Sequence, residues 1–393
     1  MTTLEDTYGD IAEKLLHFVE SRSTDQAGAV MQVPAGDYLD PALWQRELDM
    51  IFRRLPLAMA LTIEMPAPGD YKAMEVMGLP LLLTRGRDGK ARAFFNVCKH
   101  RAMQLVEPGR GNCKGFACPY HGWTYGVDGK LVAIAEASTF GDVDKATLGL
   151  TELPCEEVAG LIFAILTPGL AIDVPAFLGG MLEDLAALRL ETWYFHKSRP
   201  LPGANWKIAY DGYLEGYHFQ AAHPETVTPR TPSNRAWYDA FGPHIRLAYP
   251  QHRITELRDL PRDEWGRREN LNYDFVRMLF PNFAMFSAPE MCQVAQLFPG
   301  KDVESNITLM NYIFPKQPES AEELARLDEM CDFFYKVVEE EDYLMNFRVQ
   351  RGLKAGASET VNFGRNEPGN QLFHHYLAYY LGGASTPAPQ LRG

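Results

Sequence analysis

The sequence reads CKH at residues 98–100 and, after seventeen further residues, CPYHGW at residues 118–123. Each segment supplies one cysteine and one histidine. Two thiolates and two imidazoles suit either a tetrahedral zinc ion or a [2Fe-2S] cluster in which two histidines replace two cysteines on one iron. The sequence therefore predicts a metal centre between two loops. Its donor residues are Cys98, His100, Cys118 and His121.

Spacing favours one of these two kinds of metal site. In structural zinc sites, each ligand segment usually contains two cysteines or two histidines, as in C-x₂₋₄-C and H-x₃₋₅-H. Here each loop is mixed. In a Rieske centre one loop must reach both irons, which requires a cysteine and a histidine together on each turn. The spacing thus favours a Rieske cluster, with a zinc site and a coincidental set of buried cysteines and histidines as the alternatives.

The sequence around the two loops predicts a β domain. Short apolar runs such as LPLLLTR (79–85) and GLIFAIL (160–166) alternate with the turn signals GRDGKA (86–91) and GVDGKL (126–131). Such runs, bounded by Gly and Asp-Gly, are typical of antiparallel strands joined by hairpins. We expect this β domain to occupy residues 51–165.

The rest of the chain predicts a second, larger domain of mixed helices and strands over residues 166–393. Its longest helical pattern is ELARLDEMCDFFYKVVEEEDYLMNFRVQRGL at residues 323–353. Residues 1–50 contain helical patterns, and we expect this segment to pack on the second domain. A chain of 393 residues is long enough for two separate cores. The expected fold class is α+β.

Composition argues against several classes of function. The formal net charge is −13, and because nucleic-acid binding needs a cationic surface, we expect no nucleic-acid partner. No apolar run approaches the ~18 residues of a spanning helix, and the N-terminus carries acids where a signal peptide would carry Lys or Arg. A cytoplasmic protein without a membrane partner is expected. Its six cysteines are expected to be reduced thiols or metal ligands.

A second candidate metal site lies further along the chain. His218 and His223 are five residues apart and follow Asp211 and Glu215. On an ideal helix, at about 100° per residue, two such positions diverge by roughly 140°, so the helix must bulge or unwind after His218 for both imidazoles to reach one ion. A single buried histidine is more often a core residue. Two histidines close behind two acids favour a metal site.

The motifs NVCKHR (96–101) and CPYHGWTYGVDGKL (118–131) resemble those of the Rieske non-haem iron oxygenases, the α-subunit family of the aromatic-ring-hydroxylating dioxygenases. The resemblance spans nearly the whole chain. It implies a Rieske β-sandwich domain with a [2Fe-2S] cluster, and a C-terminal helix-grip (START-like) catalytic domain with an antiparallel sheet and a mononuclear Fe(II). The cluster ligands that it implies are Cys98, His100, Cys118 and His121.

The same resemblance implies a 2-His-1-carboxylate iron site with His218 and His223 as two ligands. The third is expected to be Asp342, since the family has an aspartate followed eight residues later by a glutamine, here Gln350. Helical spacing supports Asp342 independently, because it interrupts an apolar stripe where a carboxylate is costly unless paired or metal-bound. The alternative is that the EEED run at 339–342 is only surface charge. The stripe consists of Cys331, Phe334, Val338, Asp342, Met345 and Val349.

Glu215 and Asp211 are the expected catalytic residues. The resemblance implies that the acid at position 215 bonds to a ligand of the mononuclear iron and, across the interface of a three-subunit ring, to the cluster ligand His121 of a neighbour. Glu215 precedes His218 by three residues, one helical turn, which suits this role. The family more often has Asp here, and a Glu is known among members that act on quaternary ammonium compounds.

A ferredoxin or a flavoprotein reductase is the implied electron donor, because O₂ activation at one Fe(II) needs a further electron. Between Cys98 and His121, four basic residues stand against the single acid Glu107. A positive collar around the cluster would steer an acidic donor to it, although scattered surface charge is the alternative. The basic residues are Lys99, Arg101, Arg110 and Lys114.

The expected function is a terminal oxygenase that hydroxylates, dihydroxylates or oxidatively demethylates a small organic substrate with O₂ and electrons from NAD(P)H. An aromatic compound or acid is favoured over a quaternary amine. A homotrimer is expected, with or without a β subunit. The rivals are a Rieske electron carrier whose second domain only binds a ligand, and a zinc-stabilised binding protein. Candidate pocket residues are Phe283, Met285 and Phe286.

Overall fold

The computed structural model describes residues 4–267, 271–288 and 290–382. The chain forms two compact units, Leu48–Trp193 and a larger one made of the N-terminal 47 residues together with all residues from Tyr194 onward. The segment 166–193, expected in the second domain, is part of the first unit. The predicted α+β class with antiparallel sheets is confirmed. Within the described residues, every helix is too short or too polar to cross a membrane.

The N-terminal elements belong to the larger unit. The first helix is amphipathic and buries Ile11 and Leu15 in a cluster with Trp237 and Phe275. Apolar residues four apart lie on the same helical face, which explains why this face is the one that packs. The elements are α1 (Leu4–Ser21), β1 (Met31–Pro34) and α2 (Pro41–Glu47).

The unit Leu48–Trp193 consists mainly of short antiparallel strands. The strands are β2 (Leu57–Leu61), β3 (Asp70–Val76), β4 (Leu79–Arg85), β5 (Ala91–Phe95), β6 (Gly109–Asn112), β7 (Gly115–Ala117), β8 (Thr124–Gly126), β9 (Leu131–Ala133), β10 (Glu152–Leu153), β11 (Cys155–Val158) and β12 (Leu161–Ala164). The helices are α3 (Ala137–Phe140), α4 (Val174–Leu178) and α5 (Met181–Ala187).

These strands form three sheets in the orders β10-β5-β4-β3-β6, β11-β12-β2 and β7-β8-β9. The predicted turn signals at 86–91 and 126–131 join β4 to β5 and β8 to β9. The core of the unit is a cluster that includes Phe94, Trp123 and Tyr125, and it contains the cysteines of both candidate ligand loops.

The larger unit is built on a seven-stranded antiparallel sheet. The order is β13-β19-β18-β17-β16-β15-β14, so that β14 to β19 follow one another as a meander and β13 closes the β19 edge. A separate pair joins β1 to β20. The strands are β13 (Tyr194–Gly203), β14 (Trp237–Phe241), β15 (His244–Pro250), β16 (Tyr273–Leu279), β17 (Phe283–Ser287), β18 (Cys292–Pro299), β19 (Asn306–Phe314) and β20 (Thr360–Phe363). The helices are α6 (Trp206–Gly212), α7 (Phe219–Ala222), α8 (Ala321–Lys336), α9 (Leu344–Lys354) and α10 (Pro368–Tyr380).

The long helical pattern at residues 323–353 is interrupted by a π-helical segment, Val337–Tyr343, between α8 and α9. A π turn contains one residue more than expected, so the side chains that follow are displaced by about 100° around the axis. The predicted apolar stripe is therefore wrong beyond Asp342. Met345 and Val349 are exposed, whereas Asn346, Gln350 and Leu353, each one position later in the repeat, are buried.

Candidate metal centres

The two loops that carry the predicted cluster ligands close in the same way. In each loop the cysteine N–H donates to the carbonyl five residues later, at 2.8 Å for Cys98 and 2.7 Å for Cys118. The N–H four residues later donates back to the cysteine carbonyl, at 3.0 and 2.9 Å. That donor is Ala102 in one loop and Gly122 in the other, with φ of 57° and 68°. Two matching turns thus present their side chains to each other.

The four predicted donors lie close together between these turns. Cys98 and Cys118 are 1% and 3% exposed. The rings of His100 and His121 are 4.6 Å apart between centroids. The Nδ1 atoms of both histidines are buried and have no hydrogen-bond partner among the described residues. Since buried polar atoms are normally paired, both nitrogens point to a partner that the polypeptide itself does not supply.

Two aromatic residues hold this arrangement in place. Trp123 stacks on the His100 ring at 5.0 Å between centroids and 9° between planes. The Tyr125 hydroxyl lies 3.4 Å from Cys98 Sγ and accepts the Lys99 N–H at 2.9 Å. Burial, and the hydrogen bond with Cys98, raise the pKa of Tyr125. The hydroxyl therefore stays protonated and can donate to a Cys98 thiolate.

The second candidate site begins where the helix around residue 210 ends. α6 stops at Gly212, and α7 is a single turn of four residues flanked by His218 and His223. The predicted unwinding after His218 is present, because α7 ends at Ala222, but the helix is also interrupted before His218. Glu215 consequently does not share a helix with His218. Instead its carboxylate accepts the N–H of Tyr217 and, at 3.1 Å, that of His218, and so fixes the entry into α7.

His218, His223 and Asp342 converge on one point in the larger unit. Asp342 Oδ1 lies 3.4 Å from His218 Nε2 and 2.9 Å from His223 Nε2. One ligand atom from each of the three residues lies within 4.8 Å of the other two. A metal with ligand distances of about 2.0–2.2 Å needs donor atoms about 3 Å apart. The three side chains have that spacing.

A carboxylate orients each of the two imidazoles. Glu215 bonds to Nδ1 of His218, and Glu341 bonds to Nδ1 of His223. Glu341 also accepts the hydroxyl of Thr226 at 2.6 Å. Both bonds leave Nε2 directed at Asp342, as carboxylate–histidine pairs do at metal sites. The sequence reasoning missed Glu341, because α-helical spacing cannot show which acids of a π-helical EEED run turn inward.

The electrostatics of this cluster favour a cation. Burial lowers the pKa of His218, but its hydrogen bonds with Asp342 and Glu215 outweigh that effect and raise it to about 10. Burial raises the pKa of Asp342, but the hydrogen bonds from His218 and His223 outweigh it and lower that pKa. The same negative field that holds protons on the imidazoles would attract a divalent metal ion.

A cavity of about 240 Å³ extends from these three residues. Phe286 lines it, as the sequence suggested, whereas Phe283 and Met285 do not. Alternate residues on β17 point to opposite faces of the sheet, so one face contributes to the cavity and the other to the core. Its aromatic lining includes Tyr213, Phe219, Tyr249, Phe286, Phe333 and Phe334.

Asp211 and Gln350 lie outside the cavity lining. Asp211 accepts the Tyr38 hydroxyl at 2.7 Å and lies 3.1 Å from His374 Nε2, in a buried network that ties α6 to α10. Gln350 Oε1 accepts the Asn205 N–H at 2.6 Å, which fixes the start of α6 against α9. Both contacts position α6 and α9, which adjoin the segments that carry the two histidines and Asp342.

Comparison with known proteins agrees with both units. Residues 56–149 match the family "Rieske [2Fe-2S] domain", and residues 190–383 match "Ring hydroxylating alpha subunit (catalytic domain)". The chain belongs to the Rieske non-haem iron oxygenases. It is 29% identical over 365 residues to the carnitine monooxygenase oxygenase subunit of Escherichia coli K12, covering 88% of this chain and 92% of that one.

Two further proteins resemble this Rieske oxygenase. The glycine betaine monooxygenase oxygenase subunit of Chromohalobacter salexigens is 32% identical over 199 residues, 50% of this chain and 44% of the relative. A crystal structure of the quaternary ammonium Rieske monooxygenase CntA superposes with a TM-score of 0.78 at 24% identity, over 90% of this chain and 96% of that chain. The latter likeness shows the fold.

The cofactors of this Rieske oxygenase are a [2Fe-2S] cluster and a mononuclear iron. The residues present fit both groups. Two buried thiols and two unpartnered imidazole nitrogens match the mixed donor set of a Rieske cluster. Two imidazoles and one carboxylate, each imidazole held by a further acid, match the facial triad of non-haem iron enzymes. An iron held by these three residues would keep coordination positions open for O₂.

Proposed function

We propose that this Rieske oxygenase is the oxygenase subunit of a system that oxidises a C–H bond beside the nitrogen of a quaternary ammonium compound. The observation that carries this proposal is the composition of the cavity at the candidate iron site. Its wall combines aromatic rings with an excess of acids over bases. A permanently charged ammonium group cannot donate hydrogen bonds, so aromatic faces and nearby carboxylates are the means to bind it.

The charges of the cavity lining support a cationic substrate. Apart from the two histidines, three acids stand against one base among the described lining residues, namely Glu215, Asp274 and Asp342 against Arg230. Aromatic faces such as those of Tyr249 and Phe286 can each contribute about 0.5–2 kcal/mol to a cation that they enclose. A neutral aromatic substrate would gain nothing from the acids. The lining therefore favours the quaternary amine over the aromatic compound, the reverse of the order that the sequence suggested.

The relatives point in the same direction. The carnitine and glycine betaine monooxygenases are named for quaternary ammonium substrates. Glu215 stands where the family more often has Asp, and a Glu at this position resembles the members that act on such compounds. We therefore propose a monooxygenase reaction on a quaternary ammonium substrate.

The reaction balances with O₂, two electrons and two protons. One oxygen atom enters the C–H bond next to the ammonium nitrogen, and the other leaves as water. The resulting α-hydroxy ammonium group breaks its C–N bond, giving an aldehyde and a protonated tertiary amine. A separate reductase would deliver the two electrons from NAD(P)H, one at a time, through the Rieske cluster.

Different residues would bind the iron, position its ligands and bind the cluster. We assign iron binding to His218, His223 and Asp342, with Glu215 and Glu341 as positioning residues for the two imidazoles. When bound, the iron supplies open coordination positions for O₂. The [2Fe-2S] cluster would store the electrons. We assign its binding to Cys98, His100, Cys118 and His121.

The partner assignments belong to this proposal as well. Lys99, Arg101 and Lys114 are exposed in the cluster-bearing unit and can meet an acidic donor, whereas Arg110 lies 3.8 Å from Glu64. If charge reversal at Lys99 and Arg101 left the salt dependence of cluster reduction unchanged, the docking assignment would be wrong.

A homotrimer, cytoplasmic localisation and the absence of nucleic-acid partners stay predictions.

Substrate matching tests the proposal. The holoenzyme with a surrogate reductase is supplied with carnitine, with the analogue whose trimethylammonium is replaced by a tert-butyl group, and with benzoate. We expect product-coupled O₂ uptake with carnitine only, since the tert-butyl analogue keeps the shape but lacks the charge. Coupled oxidation of benzoate without any turnover of quaternary amines, among them glycine betaine and choline, would refute it.

A variant sharpens this test. Phe286→Leu removes one aromatic face from the cavity and should raise KM for the cationic substrate by about 3- to 30-fold. The matched control is Phe283→Leu, on the opposite face of the same strand, which should leave KM unchanged. Equal effects of the two variants on KM would contradict a cation-binding role for Phe286.

A further inference from the structure

Arg230 and Asp274 form an ion pair in the wall of the cavity. Arg230 Nη2 donates to Asp274 Oδ1 at 2.9 Å, and both residues line the cavity. Their side chains differ in exposure, 4% for Asp274 and 42% for Arg230. The carboxylate is thus buried at the base of the pair, and the guanidinium extends from it towards solvent.

The carboxylate end of this pair is held from a second side. Gln251 Nε2 lies 3.2 Å from each oxygen of Asp274. Gln251 Oε1 in turn accepts Arg253 Nε at 2.8 Å. Asp274 therefore has a fixed orientation, and it restrains Arg230 through one of the five N–H donors of a guanidinium. No other hydrogen bond of this guanidinium is found among the described residues, so its other donors can bind a ligand in the cavity.

Arg230 is also the only cationic side chain, apart from the histidines, among the described residues that line the cavity. A guanidinium held by an acid on one edge is well suited to bind a second carboxylate with the other edge, because its planar fork matches carboxylate geometry. The acids of the candidate iron site, Glu215 and Asp342, lie elsewhere on the same lining. The cavity thus offers one place for a positive group and another for a negative one.

We propose that Arg230, restrained by Asp274, binds the carboxylate of a zwitterionic substrate whose ammonium group lies at the iron site. This inference rests on the proposed function and narrows it to quaternary ammonium compounds that also carry a carboxylate, against alcohols such as choline. The partial exposure of Arg230 fits this role, since a carboxylate bound there keeps part of its hydration and loses less on binding.

The experiment compares carnitine and glycine betaine with their carboxamides, which keep size and ammonium group but lack the negative charge. Dissociation constants are measured on the anaerobic holoenzyme, together with KM and kcat. Arg230→Gln should weaken binding of the carboxylates by about 5- to 30-fold, with kcat nearly kept and the carboxamides changed less than about twofold. Arg230→Lys, which keeps the charge but not the fork, should give an intermediate loss.

Two further variants keep the inference testable if Arg230→Gln folds poorly. Arg230→Gln combined with Asp274→Asn removes both charges, so no buried carboxylate is left unpaired, and it should show the same selective loss. Arg258→Gln is the matched control, because Arg258 is exposed, pairs with Glu20 and does not line the cavity. It should bind all four compounds as the wild type does.

Three outcomes decide the inference and separate it from the proposed function. Equal losses for carboxylates and carboxamides would overturn it, because Arg230 would then act only on the shape of the cavity. Unchanged binding of the carboxylates by the Arg230 variants would overturn it too. Binding of aromatic carboxylates that depends on Arg230, without binding of any quaternary amine, would refute the proposed function while supporting Arg230 as the carboxylate receptor.

Discussion

The carboxylate of Glu341 accepts a hydrogen bond from Nδ1 of His223. This bond sets the tautomer in which Nε2 is the free ring nitrogen, and such supports typically contribute 10- to 100-fold to metal affinity. Glu341→Ala should therefore weaken binding of the mononuclear iron by about 10- to 100-fold, measured by competition with a chelator. The absorbance of the Rieske cluster should not change.

The control for this prediction is Glu340→Ala, because Glu340 is the preceding residue of the same run and is exposed. It should keep wild-type iron affinity. If both variants release iron equally, the contact between Glu341 and His223 is not what holds the imidazole.

The π-helical segment Val337–Tyr343 can be tested by removing its extra residue. Deleting Glu340 should convert the segment to ordinary α-helix and rotate Asp342 by about 100° relative to α8 or α9, out of the reach of His218 and His223. We expect iron content to fall from about three to about two per chain, because the two cluster irons remain. Metal analysis together with cluster absorbance measures this. A deletion variant that keeps three irons would contradict the assignment of Asp342.

The same segment shows where prediction from sequence reached its limit. Helical spacing placed Asp342 correctly on the inner face, although this residue lies within the π-helical segment. Beyond that point the expected face at Met345 and Val349 is exposed, and the buried positions are Asn346 and Gln350. A π turn is stabilised by tertiary contacts and leaves no periodic signal, so the sequence could not reveal the displacement.

Local turn chemistry was more informative in the cluster-bearing unit. The run LPLLLTR coincides with β4, and the Asp-Gly signals mark two hairpins, because such turns depend on only a few adjacent residues. The break between α6 and α7 was not predicted, because it leaves no such local signal. It depends on Glu215, whose carboxylate accepts hydrogen bonds from the N–H groups of Tyr217 and His218. Secondary-structure propensities do not include such side-chain contacts.

The hydrogen bond between Tyr125 and Cys98 predicts a change in the reduction potential of the cluster. Hydrogen bonds to cluster sulfurs stabilise the more negative, reduced state. Tyr125→Phe removes the donor that lies 3.4 Å from Cys98 Sγ and should lower the potential by about 60 mV, which corresponds to a tenfold change in a one-electron equilibrium. A redox titration followed by absorbance measures it. Tyr71→Phe, in the same unit, is the control and should leave the potential unchanged, and an equal shift in both would sink the prediction.

The buried carboxylate of Asp274 predicts a dependence of stability on pH. Burial, aided by Glu290, raises its pKa to about 6 although Arg230, Gln251 and Arg253 oppose the shift. In the unfolded chain it ionises near its ordinary pKa of about 3.9, so its contribution to stability is fully present below about pH 4 and is lost as pH rises through about 6. Asp274→Asn cannot ionise, and its free energy of unfolding should exceed that of the wild type by about 3 kcal/mol at pH 7.5 and by about half as much at pH 5. Denaturant unfolding at both pH values measures this, with exposed Asp259→Asn as the control. A difference that does not grow with pH would show that the burial of Asp274 is compensated by its partners.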